Sequence, residues 1–103
     1  VVEDMPSFPG RDKARLEFLR DNIRYPEAAR ENGIQGKVYV QFIVDTKGNI
    51  TDVKVLRGIG GGCDEEAVRA VKKMPKWNAG RQNGQTVRVL YTMPVDFVLT
   101  ASN

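Results

Sequence analysis

From Val87 to Leu99 an apolar side chain falls on every second residue: Val87, Val89, Tyr91, Met93, Val95, Phe97 and Leu99. That is the period of a strand with one buried face, and the run predicts the longest strand of the chain. Pro94 lies inside it and has no N–H to give to a ladder, which places the strand at a sheet edge or at a bulge. Lys37 to Asp45 alternates in the same way. Val38, Val40, Phe42 and Val44 share one face; Tyr39, Gln41 and Ile43 share the other. Asp45-Thr46-Lys47-Gly48-Asn49 then reads as a hairpin loop, and Ile50 to Arg57 as the returning strand with Val53 and Val55 as core contacts.

The period changes elsewhere. Arg11 to Asn22 fits a helix, with Leu16, Leu19 and Ile23 at i, i+3 and i+7, Phe18 beside them, and Asp12 as a candidate cap. Tyr25-Pro26 interrupts it, because the residue before a proline disfavours helix. A second short helix runs from Pro26, suited to a first helical position, to Asn32, with Gly33 as its stop. Asp64 to Met74 is amphipathic, with Ala67, Val68, Val71 and Met74 on one stripe. Asp64, Glu65 and Glu66 sit at its positive end, Lys72 and Lys73 at its negative end, and Pro75 closes it. Trp77 is expected to plug the junction between this helix and the sheet. Gly80 and Asn83-Gly84 mark turns before the last strand. Val1 to Gly10 has two prolines and no periodicity and reads as an extended lead-in.

These elements predict an α+β fold: a three-stranded antiparallel sheet, order 2-1-3, with a crossover helix on one face and N-terminal helices. The first two strands form the hairpin, and a right-handed crossover brings the third to the far side of the first. Both flanking strands are edges, and a long edge strand is a template for another chain.

Composition narrows the chemistry. With 103 residues, 41% of them hydrophobic, the chain suits one domain with a modest core. No apolar run approaches the ~20 residues of a membrane span. The chain starts at Val1, not Met, and reads as part of a longer protein, so an anchor elsewhere is not excluded. The net charge is +3, but the basic residues are scattered. Their one cluster, Arg69, Lys72, Lys73 and Lys76, lies near a helix end where cations offset the dipole, so nucleic acid is not the expected partner. One cysteine and no histidine exclude an intrachain disulfide, a Ser-His or Cys-His nucleophile and a His-bearing zinc site. Gly58-Ile59-Gly60-Gly61-Gly62-Cys63 has the outline of a phosphate loop. It follows a hairpin strand, however, and is followed by three carboxylates with no Lys-Ser/Thr pair. It reads as a loop whose glycines allow positive φ. Cys63 reads as structural. Asp45 with Asp52, or Glu65 with Glu66, form no visible carboxylate cleft. No catalytic residue, cofactor or metal is expected.

Several linked motifs resemble the C-terminal domain of the TonB family of energy transducers, over about Tyr25 to Leu99. Tyr25-Pro26-Glu27-Ala28-Ala29, followed by Gly33-Ile34-Gln35-Gly36, is similar to the family's opening. Lys37 to Ile50 is similar to its hairpin, Asp64 to Trp77 to its helix with Ala67 and Ala70, and Arg81 to Phe97 to its closing strand. Met5-Pro6-Ser7-Phe8-Pro9-Gly10 and the Gly-Gly-Gly-Cys-Asp-Glu-Glu segment resemble Bacteroidetes versions. Ala79 stands where the family usually has proline, and Ala28 stands where better-known members are basic, so an ion pair to a transporter there is not assumed. The resemblance divides the chain into a lead-in with an added helix, 1–24, and a TonB-like domain, 25–103.

The resemblance implies a periplasmic domain of an inner-membrane-anchored protein, driven by an ExbB–ExbD-type motor. Its partner would be the TonB box of outer-membrane transporters for siderophores, cobalamin or glycans. Beside it, the residues themselves offer a mechanism: addition of a peptide strand along Val87, Arg88, Val89, Leu90, Tyr91, Thr92 and Met93, bordered by Asn22, Tyr25 and Pro26. Arg88, Leu90 and Thr92 are expected to flank the visitor, with Tyr91 turned inward. The same edge allows a homodimer. A TonB-like domain of a membrane sensor and a small basic nucleic-acid binder are the alternative readings.

Overall fold

The computed structural model describes residues 2–99. In chain order the elements are α1 (Arg11–Asn22), α2 (Glu27–Glu31), β1 (Gly36–Val44), β2 (Ile50–Arg57), α3 (Cys63–Lys72), β3 (Gly80–Gln82), β4 (Gln85–Val87) and β5 (Val89–Phe97). β2, β1 and β5 form one antiparallel sheet in that order, which is the predicted 2-1-3 arrangement. Residues 100–103 of the expected 25–103 unit lie outside the described residues.

The alternation in β1 does what a period of two requires. Val38, Val40, Phe42 and Val44 are fully buried. Val89, Met93, Val95 and Phe97 of β5 join them on the same face. α3 lies over this face and buries Cys63, Ala67, Ala70 and Val71; its small residues let the helix approach the sheet closely. Val53 and Val55 of β2 pack half-buried against this core. Burying each aliphatic side chain contributes about 1.5–3 kcal/mol. Trp77 fills the end of the core, 5.3 Å from Phe42 and 5.2 Å from Tyr91 between ring centroids and nearly perpendicular to both. Trp77 thus packs against the sheet as expected, and its further aromatic neighbour is Phe8, at 6.0 Å.

The β1–β2 loop is tied by one side chain. Asp45 accepts hydrogen bonds from the backbone N–H groups of Lys47 and Asn49, at 2.9 and 2.8 Å. Gly48 turns at φ 85°, and its carbonyl accepts the Trp77 N–H at 2.9 Å, so the hairpin tip is fastened to the Trp77 segment.

Four expectations are corrected. The run from Val87 to Leu99 is not one strand: it breaks at Arg88, and Val87 pairs with Gly80 in a separate β3–β4 ribbon. That ribbon turns at Asn83-Gly84, with φ of 52° and 76°, the pair of positive angles a tight hairpin needs. The lead-in is more than extended. Asp4 and Arg81 exchange backbone hydrogen bonds, as do Ser7 and Asn78, and Phe8 enters the core. Asp12 does not cap α1. Gly10 holds the cap position without a side-chain bond, and Asp12 lies in the first turn. Pro26 is the cap of α2 and not its first helical residue. On α1 the apolar stripe divides: Leu19 is buried, while Leu16 is 57% exposed.

Candidate functional site

The sheet has two edges, and they differ. β2 breaks register with β1 twice, and Asp52 at one break is turned to φ 53°. Its outer residues include exposed Asp52, Lys54 and Arg57. Bulges and charges of this kind discourage pairing with another chain. β5 pairs with β1 over nine consecutive residues with no shift. Among the described residues no strand pairs with its other side. The sequence left edge or bulge open for Pro94; the answer is an edge without a bulge.

Pro94 also fixes which backbone groups face outward. It stands opposite Tyr39 in an unbroken ladder and cannot donate, so that pair is of the non-hydrogen-bonded kind. Alternation then turns Val89, Tyr91, Met93, Val95 and Phe97 toward β1 for hydrogen bonding. Leu90, Thr92 and Asp96 direct both N–H and C=O outward, and Pro94 its C=O alone. Side chains follow the perpendicular alternation: Leu90, Thr92, Pro94 and Asp96 are exposed, with Leu90 60% exposed. Lys37 on β1 donates to Asp96 at 2.7 Å, which raises the lysine's pKa above its ordinary value through that hydrogen bond.

The other expected residues are distributed as follows. Arg88 is exposed in the link between β4 and β5, and Val87 is half-buried in β4. Val89 and Met93 are buried. Tyr91 is half-buried against Phe42 and Trp77, and its hydroxyl accepts a hydrogen bond from Arg15 at 3.3 Å. Asn22 ends α1. Its side chain donates to the Phe18 carbonyl at 2.8 Å, and its own carbonyl accepts from Arg69 at 2.6 Å. Tyr25 packs edge-on against Phe97, donates to the Ile34 carbonyl, and carries the Arg30 guanidinium over its ring. Pro26 lies beside Gly62, where an added Cβ would come within 3.2 Å of it. β5 thus brings Val89 through Met93 together on one strand. Asn22, Tyr25 and Pro26 are engaged with α3, β5's last residue and the glycine loop.

That loop is occupied by its own chain. The Asp64 carboxylate accepts the N–H groups of Ile59 and Gly60 at 2.9 and 3.3 Å, and Gly60, Gly61 and Gly62 all have positive φ. Cys63 is buried, and burial together with Asp64 and Glu65 raises its thiol pKa, which removes nucleophilic character.

Sequence reasoning did not find a groove beside β5. It has a volume of about 270 Å³ and runs between α1 and the second half of the strand, with Leu16, Ile23, Pro94 and Val98 among its lining residues. Leu16 and Ile23 were visible as part of a helical stripe, but periodicity does not say that a stripe faces a gap.

Comparison with known proteins gives one consistent answer. Residues 21–99 match the model of the family described as Gram-negative bacterial TonB protein C-terminal. Protein TonB from two strains of Xanthomonas campestris pv. campestris, B100 and ATCC 33913, is 38% identical over 77 residues, covering 74% of this chain. The chain spans about a third of the length of these curated relatives. Two solution structures of the Helicobacter pylori TonB C-terminal domain share the fold. One has a TM-score of 0.63 at 23% identity over 84% of this chain and 90% of that one. The other has a TM-score of 0.61 at 24% identity over 89% and 87%.

Proposed function

The chain belongs to the family of Gram-negative bacterial TonB protein C-terminal domains, and from that premise we propose that it binds the TonB box of outer-membrane transporters by adding that segment as a strand to β5. The observation that carries this reading is the unbroken nine-residue strand whose outer side has no partner among the described residues. Leu90, Thr92 and Asp96 offer a donor and an acceptor each, and Pro94 an acceptor. The site is the outer side of β5 from Val89 to Asp96, with Asn22, Tyr25 and Pro26 fixing the structure around it; Val87, paired with Gly80, and Arg88 lie before it.

Each hydrogen bond contributes about 1 kcal/mol net, and ordering a flexible peptide offsets part of the sum. The expected affinity is therefore moderate, roughly micromolar to millimolar. Backbone pairing tolerates variation in the partner's side chains, which suits one transducer serving several transporters. In the parent protein the domain works in the periplasm. An inner-membrane anchor outside this sequence and an ExbB–ExbD-type motor supply the ion-motive force, and the load drives nutrient uptake. No helix among the described residues is long and apolar enough to cross a membrane, so the anchor belongs to another part of the parent. The same edge pairs two copies of the domain at high concentration.

The test is a titration of the labelled domain with a synthetic TonB-box peptide, followed by backbone amide shifts at several protein concentrations. Saturable shifts at Leu90, Thr92 and Asp96 are expected. Shifts confined to α3 and the glycine loop would remove the proposed site.

A further inference from the structure

Resting on the strand-addition reading, we infer that α1 is the second wall of the docking groove and selects partners with aliphatic side chains at alternate positions. The match to the family model begins at residue 21, so most of α1 lies outside it. The helix lies across a groove from β5, not against it. Leu16, Leu19 and Ile23, with Arg20 among them, line one side; Pro94, Val95 and Val98, with Asp96 among them, line the other. Leu16 is 57% and Val98 65% exposed, two large apolar side chains left in water on facing walls of one gap.

The gap is continuous with the open backbone edge, because Pro94 and Asp96 belong to both. It also coincides with the position where backbone pairing is weakest, since Pro94 has no N–H. Side-chain burial is the contribution left to hold a visitor there. A strand added to β5 turns alternate residues to the two faces of the sheet. Residues of the visitor whose side chains turn toward α1 enter the gap below Leu16. Those alternating with them point away from α1 and are unrestricted. The occupant is therefore an extended segment whose gap-facing residues are aliphatic.

The wall is held in place before anything binds. Arg15 donates to the Tyr91 hydroxyl at 3.3 Å, and Arg69 donates to the Asn22 carbonyl at 2.6 Å, tying both halves of α1 to the body of the domain. A fixed wall loses little entropy on docking. Burying even one aliphatic side chain there corresponds to at least tenfold in affinity.

Two peptides test this, Thr-Val-Thr-Val-Thr-Val-Thr and the same sequence with serine in place of valine, titrated against the domain and against Leu16→Ser. Val98→Ser is the second variant, on the opposite wall. Both positions are exposed, so both variants should keep the native amide spectrum. The expected result is at least tenfold tighter binding of the valine peptide by the parent domain, reduced to less than about threefold in each variant, with Leu90 and Thr92 amides still shifting. A valine preference that survives in both variants overturns the role of α1 and leaves strand addition standing. Absence of any β5 shift with either peptide overturns strand addition itself, and the selectivity with it.

Discussion

A methyl group on Gly48 would sit 2.0 Å from the carbonyl oxygen of Trp77, and the residue's φ is +85°. Both the space and the backbone angle call for glycine. Gly48→Ala should destabilise the domain by at least about 2 kcal/mol, read as a lowered midpoint in urea. Glu66 is a second residue on which several elements converge. It accepts the Arg24 N–H at 2.7 Å and pairs with Arg69 at 2.6 Å, and Arg69 reaches Asn22. The Arg69 hydrogen bond, with that from Arg24, holds the Glu66 carboxyl below its ordinary value of 4.5. The contribution to stability is therefore complete above that value and is lost as the pH falls through the lower folded pKa. Glu66→Gln should cost about 1–2 kcal/mol at pH 7 and should flatten the loss of stability in acid, measured by urea melts between neutral and acidic pH. Asp45 acts in the same direction, chiefly through the Asn49 N–H.

At the scale of elements, the outward parity set by Pro94 makes a sharp prediction for β5. The Thr92 N–H faces away from β1, so Thr92→Pro removes a donor from the open edge without touching the β1 ladder. The melting temperature should change little, while a TonB-box peptide should bind about tenfold more weakly by titration calorimetry. The long elements were legible because their side chains carry the period. Val38 to Val44 and Met93 to Phe97 alternate, and Ala67, Ala70 and Val71 lie on one helical stripe. β3 and β4 were not, because three-residue arms such as Arg81 and Gln82 against Gln85 and Thr86 bury too little to show alternation. Asn83-Gly84 was the one signal of their hairpin. The pairing of Asp4 with Arg81 and of Ser7 with Asn78 is backbone to backbone between distant segments, and no side-chain pattern announces it. The edge was legible through Pro94; the groove beside it required knowing where α1 lies.

Over the whole molecule, the described residues form one core, and the segment before residue 21 contributes to it. Phe8 is buried beside Phe18 and Trp77, with ring centroids 5.6 and 6.0 Å away, and Leu19 is buried with it. Phe8→Ala should therefore cost about 3 kcal/mol. A chain beginning at Tyr25 should melt at a lower temperature than the full chain in a circular-dichroism scan. The family resemblance identified the shared sheet and helix and took in the stretch from Met5 to Gly10, whereas the burial of Phe8 depends on a fold-back that no side-chain pattern announces. Pro94 has one more consequence. A polypeptide rail is uniform, and a guest can slide along it two residues at a time with each new position nearly as good as the last. One ring with no hydrogen to give is a notch in that rail. It makes the stopping places unequal, so a guest under tension has a preferred berth and not a continuum of them.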